Sequence, residues 1–481
     1  MIKRNSVLYQ IVTDRFDNEQ GNLHEQIDSP DYNSRFGDFL GGTFNGVRRR
    51  LDYLQNLGIN HLLMSPVQSS PFYHGYHMDD HFAVNSKFGT EEDLKALIKE
   101  CHEREIGVMM DYVPTHISSS NPLFTQKALS QDEKERDWLV FLSRLREDSP
   151  YRAYFEELVY KLTSGDSTKL QETNKAKYLG YFGKAESPLL NLANPDVEEH
   201  HRRVIYHWLR EFEFDSIRLD SGFIQPKDFI RKIREYVHTS FKDVDVIAEH
   251  WDFEFPPRSG DCYGFCDGEF DIKSTLWFNN MSEDTQNFFK NLSGHYYRSK
   301  DHMEDYSYIT GLGNHDLPRF RGGKNLQKIA AVLEFTLPSI PMIYYGEEIG
   351  MAQYNDGSER IAQSRDPMRW DLHDSELYNF YKNLVHFRRA NSFDKFSMSD
   401  VQVNDNGAFF TYRVEFGNKN YFVLLNRENR EKPVNLEELF PNSRVDNLDI
   451  SSGMPIVFDS PTNLTLKPES AYLFGERTNG Q

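Results

Sequence analysis

Apolar residues recur along this chain in two alternating rhythms. Short β-like runs occur at Val7–Val12 (VLYQIV), His61–Ser65 (HLLMS) and Ile106–Val113 (IGVMMDYV). Between them the spacing is helical. Thr43–Leu57 carries a helical period and stops at Gly58, a helix C-cap signal. Thr90–Arg104 opens Thr-Glu-Glu-Asp, a capping-box pattern, and places Leu94, Leu97 and Ile98 on one face. After an interruption the beat resumes with a helical period over Val197–Phe212. Strand-like runs follow at Phe214–Leu219, Asp245–Ala248, Tyr306–Leu312 and Pro341–Tyr345. Repeated strand–helix units predict a parallel sheet with right-handed crossovers, and about eight of them favour a closed (β/α)8 TIM barrel, an α/β fold.

The interruption covers residues 117–190, which are polar, rich in Glu and Lys, and aromatic, without a strand–helix beat. It predicts an inserted domain after the third strand, so that the barrel is built from residues 1–116 and 191–391. Residues 392–481 change character again. Ala408–Glu415 and Tyr421–Leu425 alternate and are joined by Phe-Gly-Asn-Lys-Asn, the pattern of a hairpin in an antiparallel β domain.

Composition narrows the functions open to such a body. With 55 Lys+Arg against 74 Asp+Glu the formal charge is −19, a field that repels nucleic acid and suits a neutral substrate or a cation. The 26 Tyr and 36 Phe mostly fill cores, but their faces also stack on sugar rings. Three cysteines, Cys101, Cys262 and Cys266, make no disulfide framework. Cys262 and Cys266 with His250 lack the fourth ligand of a zinc site. No apolar stretch is long enough to span a bilayer, and the start of the chain lacks the apolar run of a secretory leader. The chain thus reads as cytoplasmic, although a trimmed secreted form would look the same.

In a barrel, chemistry sits where strands end. The third strand ends at Asp111, followed by His116. The fourth ends Ile217-Arg218-Leu219-Asp220, the fifth Ala248-Glu249-His250, and the seventh runs into Asn314-His315-Asp316. The second leads to Tyr73-His74-Gly75-Tyr76. Three carboxylates, Asp220, Glu249 and Asp316, therefore meet Arg218, His116 and His315 around one mouth. That set suits glycoside cleavage, which needs a carboxylate nucleophile and a carboxylic acid with a raised pKa. Strand alternation points Arg218 and Asp220 the same way, so Arg218 is expected to hold Asp220 ionised.

The segments GINHLLMSPVQSS (58–70), DYVPTH (111–116), SPLLNLANP (187–195), FDSIRLDS (214–221), VIAEHWD (246–252), GLGNHD (311–316) and IPMIYYGEEIGM (340–351) resemble, in order, those of glycoside hydrolase family 13, the α-amylase superfamily. The stretches 73–90 and 365–371 resemble family segments too. The resemblance implies a three-part architecture of barrel, domain inserted after strand three, and C-terminal β-sandwich. It implies a retaining glycosidase that cleaves α-glucosidic, mainly α-1,4, bonds of starch-derived glucans or maltooligosaccharides through a covalent β-glycosyl-enzyme. A 4-α-glucanotransferase or α-glucosidase is the alternative, and a non-enzymatic transporter subunit is disfavoured. By the same resemblance Asp220 is the nucleophile, Glu249 the acid/base, and Asp316 the residue that distorts the sugar. Arg218 orients Asp220, His116 and His315 bond the sugar, Tyr76 stacks on it, and Asp111 supports the site.

The chain departs from the family at three positions. Thr115 stands where Asn is usual, and Phe223 and Ile224 stand where amylases carry Lys-His. No cofactor is implied as required. Ca2+ stays open only at a site whose usual ligands are degraded, or at the Asp14–Asn18 loop, which reads better as a turn; no metal ligand is assigned. Phe223 and Ile224 suggest an apolar leaving-group side that would favour transfer over hydrolysis. Tyr73, where exo-acting relatives carry Asp, leans away from strict exo action.

Overall fold

The computed structural model describes residues 2–29, 31–35, 37–141, 150–163, 178–251, 263–279, 281, 306–353, 364–372, 374–391, 396–404, 408–416, 419–440, 445–449, 454–456 and 463–476. Eight parallel strands close a barrel: β1 (Leu8–Ile11), β2 (His61–Met64), β3 (Gly107–Tyr112), β4 (Ser216–Leu219), β5 (Asp245–His250), β6 (Gly268–Asp271), β7 (Ser307–Thr310) and β8 (Ile340–Tyr344). Each pairs with its sequence neighbours, and β8 returns to β1, with Leu8 opposite Met342 on one side and His61 on the other. Most strand residues are buried, as expected when helices cover the outside and side chains fill the inside.

Seven strands lie where the apolar runs predict them. The eighth, β6, reads Gly-Glu-Phe-Asp and has no apolar run to betray it. Its polar groups are satisfied inside the fold instead. The Tyr306 hydroxyl donates to Glu269 Oε2 at 2.9 Å, and Asp271 accepts from the Ser274 amide at 3.0 Å, capping the helix that follows. Gly268 has to be glycine, because a Cβ there would stand 2.3 Å from the Ser307 carbonyl oxygen.

Helix ends follow the sequence closely. Thr43 accepts from the Gly46 amide, Gly58 takes φ 95° at a C-cap, and Thr90 with Asp93 forms the expected capping box. The expected helix Thr43–Leu57 is broken in two, Phe44–Arg49 and Leu51–Leu57. At the break, Arg50 leaves helical geometry (φ −103°, ψ 4°), bonds Asp17 at 2.5 Å and stacks on Trp370 at 3.8 Å. The helix Pro195–Phe212 starts with Asn194 as cap and Pro195 in its first turn, and buries Val197, Val204, Ile205, Trp208 and Phe212.

Between β3 and β4 lie the helices Pro122–Leu129, Glu133–Arg136 and Arg152–Thr163 and a set of single bridges, among them Leu139 to Leu190 and His116 to Leu189. Val140, Phe155, Leu158, Leu162, Leu179 and Leu189 form the apolar cluster of this inserted segment. At the C-terminal end a six-stranded antiparallel sheet contains the expected hairpin, Phe409–Phe416 against Lys419–Asn426. The hairpin and the strand Ser470–Glu476 beside it pack on both faces. Phe409, Phe422, Leu424 and Phe474 meet Leu436, Phe440 and Leu466, next to the strand pair Lys432–Asn435 and Asn463–Leu466. Phe410, Tyr412, Val414 and Val423 join the main barrel core. Among the described residues no helix is long and apolar enough to cross a membrane.

Candidate active site

Every strand-end residue singled out from the sequence reaches the same end of the barrel. Asp111 and Arg218 sit in paired register on β3 and β4. Arg218 Nη1 donates to Asp111 Oδ1 at 2.5 Å and to Asp220 Oδ1 at 3.1 Å, while Nη2 lies 3.2 Å from Glu249 Oε1. Arg218, Asp220 and Glu249 are only 2, 6 and 3 % exposed. One guanidinium therefore serves three buried carboxylates. Strand alternation pairs Arg218 with Asp220 alone; in the fold the same guanidinium also serves Asp111 and Glu249. Burial and then the Glu249 charge push Asp220 well above the usual carboxylate range; Arg218 opposes them and does not prevail.

The turn after β4 joins the two carboxylates. Ser221 donates its backbone N–H to Glu249 Oε2 at 2.6 Å and its hydroxyl to Asp220 Oδ2 at 2.9 Å. It does so from the left-handed region, φ 54° and ψ 39°. The next residue, Gly222, lies so close to β5 that a Cβ would be 2.8 Å from the Glu249 carbonyl oxygen. Trp251 Nε1 donates to Glu249 Oε1 at 2.7 Å.

Asp316 stands apart from this trio. Arg365 Nη2 holds its Oδ1 at 2.8 Å and His315 Nε2 its Oδ2 at 3.0 Å. Burial works against its charge, but His315, Arg365 and Arg218 together hold it below its ordinary range. The His315 ring lies flat on Tyr76, centroids 4.9 Å and planes 4° apart, and its Nδ1 meets Gln10 Nε2 at 3.0 Å. Tyr76 donates to Asp111 Oδ2 at 2.8 Å. It is thus fixed between β3 and the loop after β7, with its ring already stacked on a neighbour. His116 is buried, which lowers its pKa and keeps the imidazole neutral, and it stacks on Tyr181 at 4.4 Å.

Four contributors went unsingled in the sequence. Trp251 was legible, since i and i+2 along an extended segment share a face with Glu249. Ser221 and Arg365 lie inside or beside quoted motifs but carry no signal of their own. Tyr181 comes from the inserted segment, where nothing local points to the barrel mouth.

Phe223 and Ile224 take a different place from the one expected. They pack into the cluster of Phe155, Leu158, Leu162 and Leu189, and Lys161 Nζ donates to the Phe223 carbonyl at 2.7 Å. Their apolar character is used to seat the inserted segment on the barrel. Tyr73 is buried beneath the Arg15 guanidinium, 3.9 Å from its ring centre.

The residues at the suggested metal positions do not fit calcium. Thr115 Oγ1 bonds its neighbour His116 Nδ1 at 3.0 Å and, a hydroxyl, is a poorer calcium ligand than an amide carbonyl. In the first loop Asp14 accepts the Leu40 and Gly41 amides at 2.8 and 3.1 Å, with Arg15 Nε 3.4 Å away; Asp17 is paired with Arg50. These carboxylates are already committed to a turn. Cys262 lies outside the described residues, and Cys266 donates to the Gly268 carbonyl. Among the described residues no three His, Cys, Asp or Glu side chains are placed to hold a metal ion.

Comparisons with known proteins place the chain in a family. The chain is 27% identical to alpha-amylase 2 of Dictyoglomus thermophilum over 97% of its own length and 75% of that protein's. It is 26% identical to a cyclomaltodextrinase of Thermoanaerobacter pseudethanolicus, covering 97% of this chain and 77% of that one. The crystal structure of an alpha-amylase from Geobacillus thermoleovorans, complexed with acarbose, superposes with a TM-score of 0.77 at 22% identity and full coverage of both chains. The family model of the alpha-amylase catalytic domain matches residues 10–420, and the chain therefore belongs to the α-amylase family of glycosidases.

Proposed function

We propose that this glycosidase is a retaining hydrolase of α-1,4-linked glucans and maltooligosaccharides, with Asp220 as nucleophile and Glu249 as general acid/base. The observation that carries the reading is the shared environment of these two carboxylates, held together by Arg218 and by both donors of Ser221. Glu249 protonates the glycosidic oxygen as Asp220 attacks the anomeric carbon, the leaving sugar departs with that proton, and a β-glycosyl ester forms on Asp220. Glu249, now a carboxylate, then takes a proton from water, whose oxygen breaks the ester with a second inversion. The starting state needs a single proton on the pair. One guanidinium divided among three carboxylates leaves room for that proton. Asp316, kept ionised by His315 and Arg365, binds the sugar hydroxyls and favours the oxocarbenium-like transition state. His116, in its neutral form, and His315 offer hydrogen bonds to the same sugar, and Tyr76 offers its ring.

The same reading divides the chain into a barrel of residues 1–116 and 191–391, an inserted domain over 117–190 and a β-sandwich over 392–481. It assigns a neutral glucan as the partner, in line with the charge of −19, and a cytoplasmic setting. The relatives named above comprise an α-amylase and a cyclomaltodextrinase. Because Phe223 and Ile224 serve packing, they lend no support to transfer over hydrolysis. Incubation with maltoheptaose, followed by NMR of the first anomer released, tests the reading. The α anomer is expected; first release of the β anomer would show inversion, and no turnover of any α-glucoside by folded protein would remove the assignment.

A further inference from the structure

Asp220 sits under a net excess of negative charge. Glu249 faces it from β5, Asp111 from β3, Asp316 from the loop after β7, and the Tyr76 and Tyr181 hydroxyls from the loops above; Arg218 on its own strand is the cation in this set. That cation is divided among three carboxylates. Among the described residues the other side-chain donor to the Asp220 carboxylate is the Ser221 hydroxyl, at 2.9 Å. A hydroxyl has one proton, and this one is spent on Asp220. The Tyr181 hydroxyl, 2.7 Å from Ser221 Oγ, is therefore the donor in that contact. The result is a directed chain, Tyr181 to Ser221 to Asp220, running from the inserted segment to the strand end.

Three further features hold the chain in place. Tyr181 is fixed by its stack on His116. Ser221 occupies a left-handed conformation that is rare for a side-chain-bearing residue, and doing so aims its N–H at Glu249. Gly222 allows the turn to lie against β5. Consecutive hydrogen bonds polarise one another, so the Tyr181 proton strengthens the Ser221 bond to an ionised Asp220.

We infer that Ser221 and Tyr181 are positioning residues: a two-step hydrogen-bond relay through which the inserted segment stabilises the ionised form of Asp220. This rests on Asp220 being the nucleophile. The relay supplies the stabilisation that Arg218 alone does not. It also makes the nucleophile depend on where the inserted segment sits, since withdrawal of Tyr181 weakens the last bond.

The test is the pH profile of kcat/KM on maltoheptaose for Y181F, S221G, S221A and the double variant Y181F/S221G. Glycine suits the left-handed backbone and keeps the N–H to Glu249, so S221G removes the hydroxyl without straining the turn. Loss of that charge-assisted bond is expected to move the acid limb up by about one pH unit with KM little changed. Y181F keeps the ring on His116 and is expected to move the limb the same way by less. The double variant should move it no further than S221G, because Tyr181 acts through Ser221. S221A separates backbone from hydroxyl: it should match S221G in limb position and fall below it in thermal stability. An unmoved limb in Y181F and S221G, or additive shifts in the double variant, overturns the relay. Failure of the underlying reading shows separately, as wild-type turnover by D220N.

Discussion

Replacing Asp220 with Asn should abolish turnover and make the protein more stable. Asp111, Asp220 and Glu249 share Arg218 inside the barrel mouth, so with all three ionised the buried cluster carries two uncompensated negative charges. Burial lifts Asp220 well above its usual range, and for an acid a raised folded pKa means that ionisation opposes folding. The cost is absent below the unfolded value near pH 4, and grows as pH rises from there through the folded value. Asn removes the charge and keeps the contacts: its Oδ1 still accepts from Arg218, and its amide can donate to Ser221 Oγ. Breaking a buried ion pair from the other side costs about 3–5 kcal/mol, so relief of one surplus charge in a partly compensated cluster is worth about 1–3 kcal/mol. For a body larger than about 150 residues that corresponds to a rise of several degrees in unfolding temperature. The assay is thermal unfolding by circular dichroism at pH 5, 6 and 7.5, beside maltoheptaose turnover. The gain should widen with pH. A variant that is inactive but equal to or below the parent at every pH would refute the charge argument, even with the catalytic assignment intact.

Arg218→Lys keeps one charge but cannot reach three carboxylates; with one or two charge-assisted bonds lost, kcat/KM should fall about 10²–10⁴-fold and the acid limb should move to higher pH, and a fall under about tenfold with the limb in place would contradict the bridging role. Gly222→Ala forces a Cβ to 2.8 Å from the Glu249 carbonyl. A loss of about 1–3 kcal/mol in denaturant unfolding is expected, with activity falling further than stability because Glu249 moves with its strand; full stability and full activity together would show that the turn has room. His81 Nδ1 and His200 Nε2 lie 3.0 Å apart, and burial lowers their pKa values to about 3 and about 4. Their contribution to stability is full above about pH 6.5 and declines as pH falls through that value toward 4 and then 3, so His81→Gln with His200→Gln should flatten the fall in unfolding temperature between about pH 6.5 and 4; an unchanged slope would count against it.

The difference between what was legible in the sequence and what was not follows from where each interaction gets its specificity. Seven barrel strands are legible because burial on both faces forces apolar runs, and β6 is not, because Glu269 and Asp271 are buried with partners that lie elsewhere in the chain or in the next turn of helix. The candidate catalytic side chains were legible because strand ends converge by construction: once Asp111, Arg218, Asp220 and Glu249 are on adjacent parallel strands, their meeting needs no further information. Their protonation was not legible. It depends on how many carboxylates one guanidinium must serve, and the two-residue spacing of Arg218 and Asp220 shows only one of them. Phe223 and Ile224 make the same point in reverse. Read locally, two apolar residues just after Asp220 look like the wall of a binding site. In the fold they are the footing on which Leu158, Leu162 and Leu189 rest. A residue's chemistry can be read from its type, but its task is set by what the rest of the chain brings against it. At this barrel mouth the inserted segment brings both the apolar contact and, through Tyr181, a hydroxyl, so the segment least readable in sequence is the one that completes the environment of Asp220.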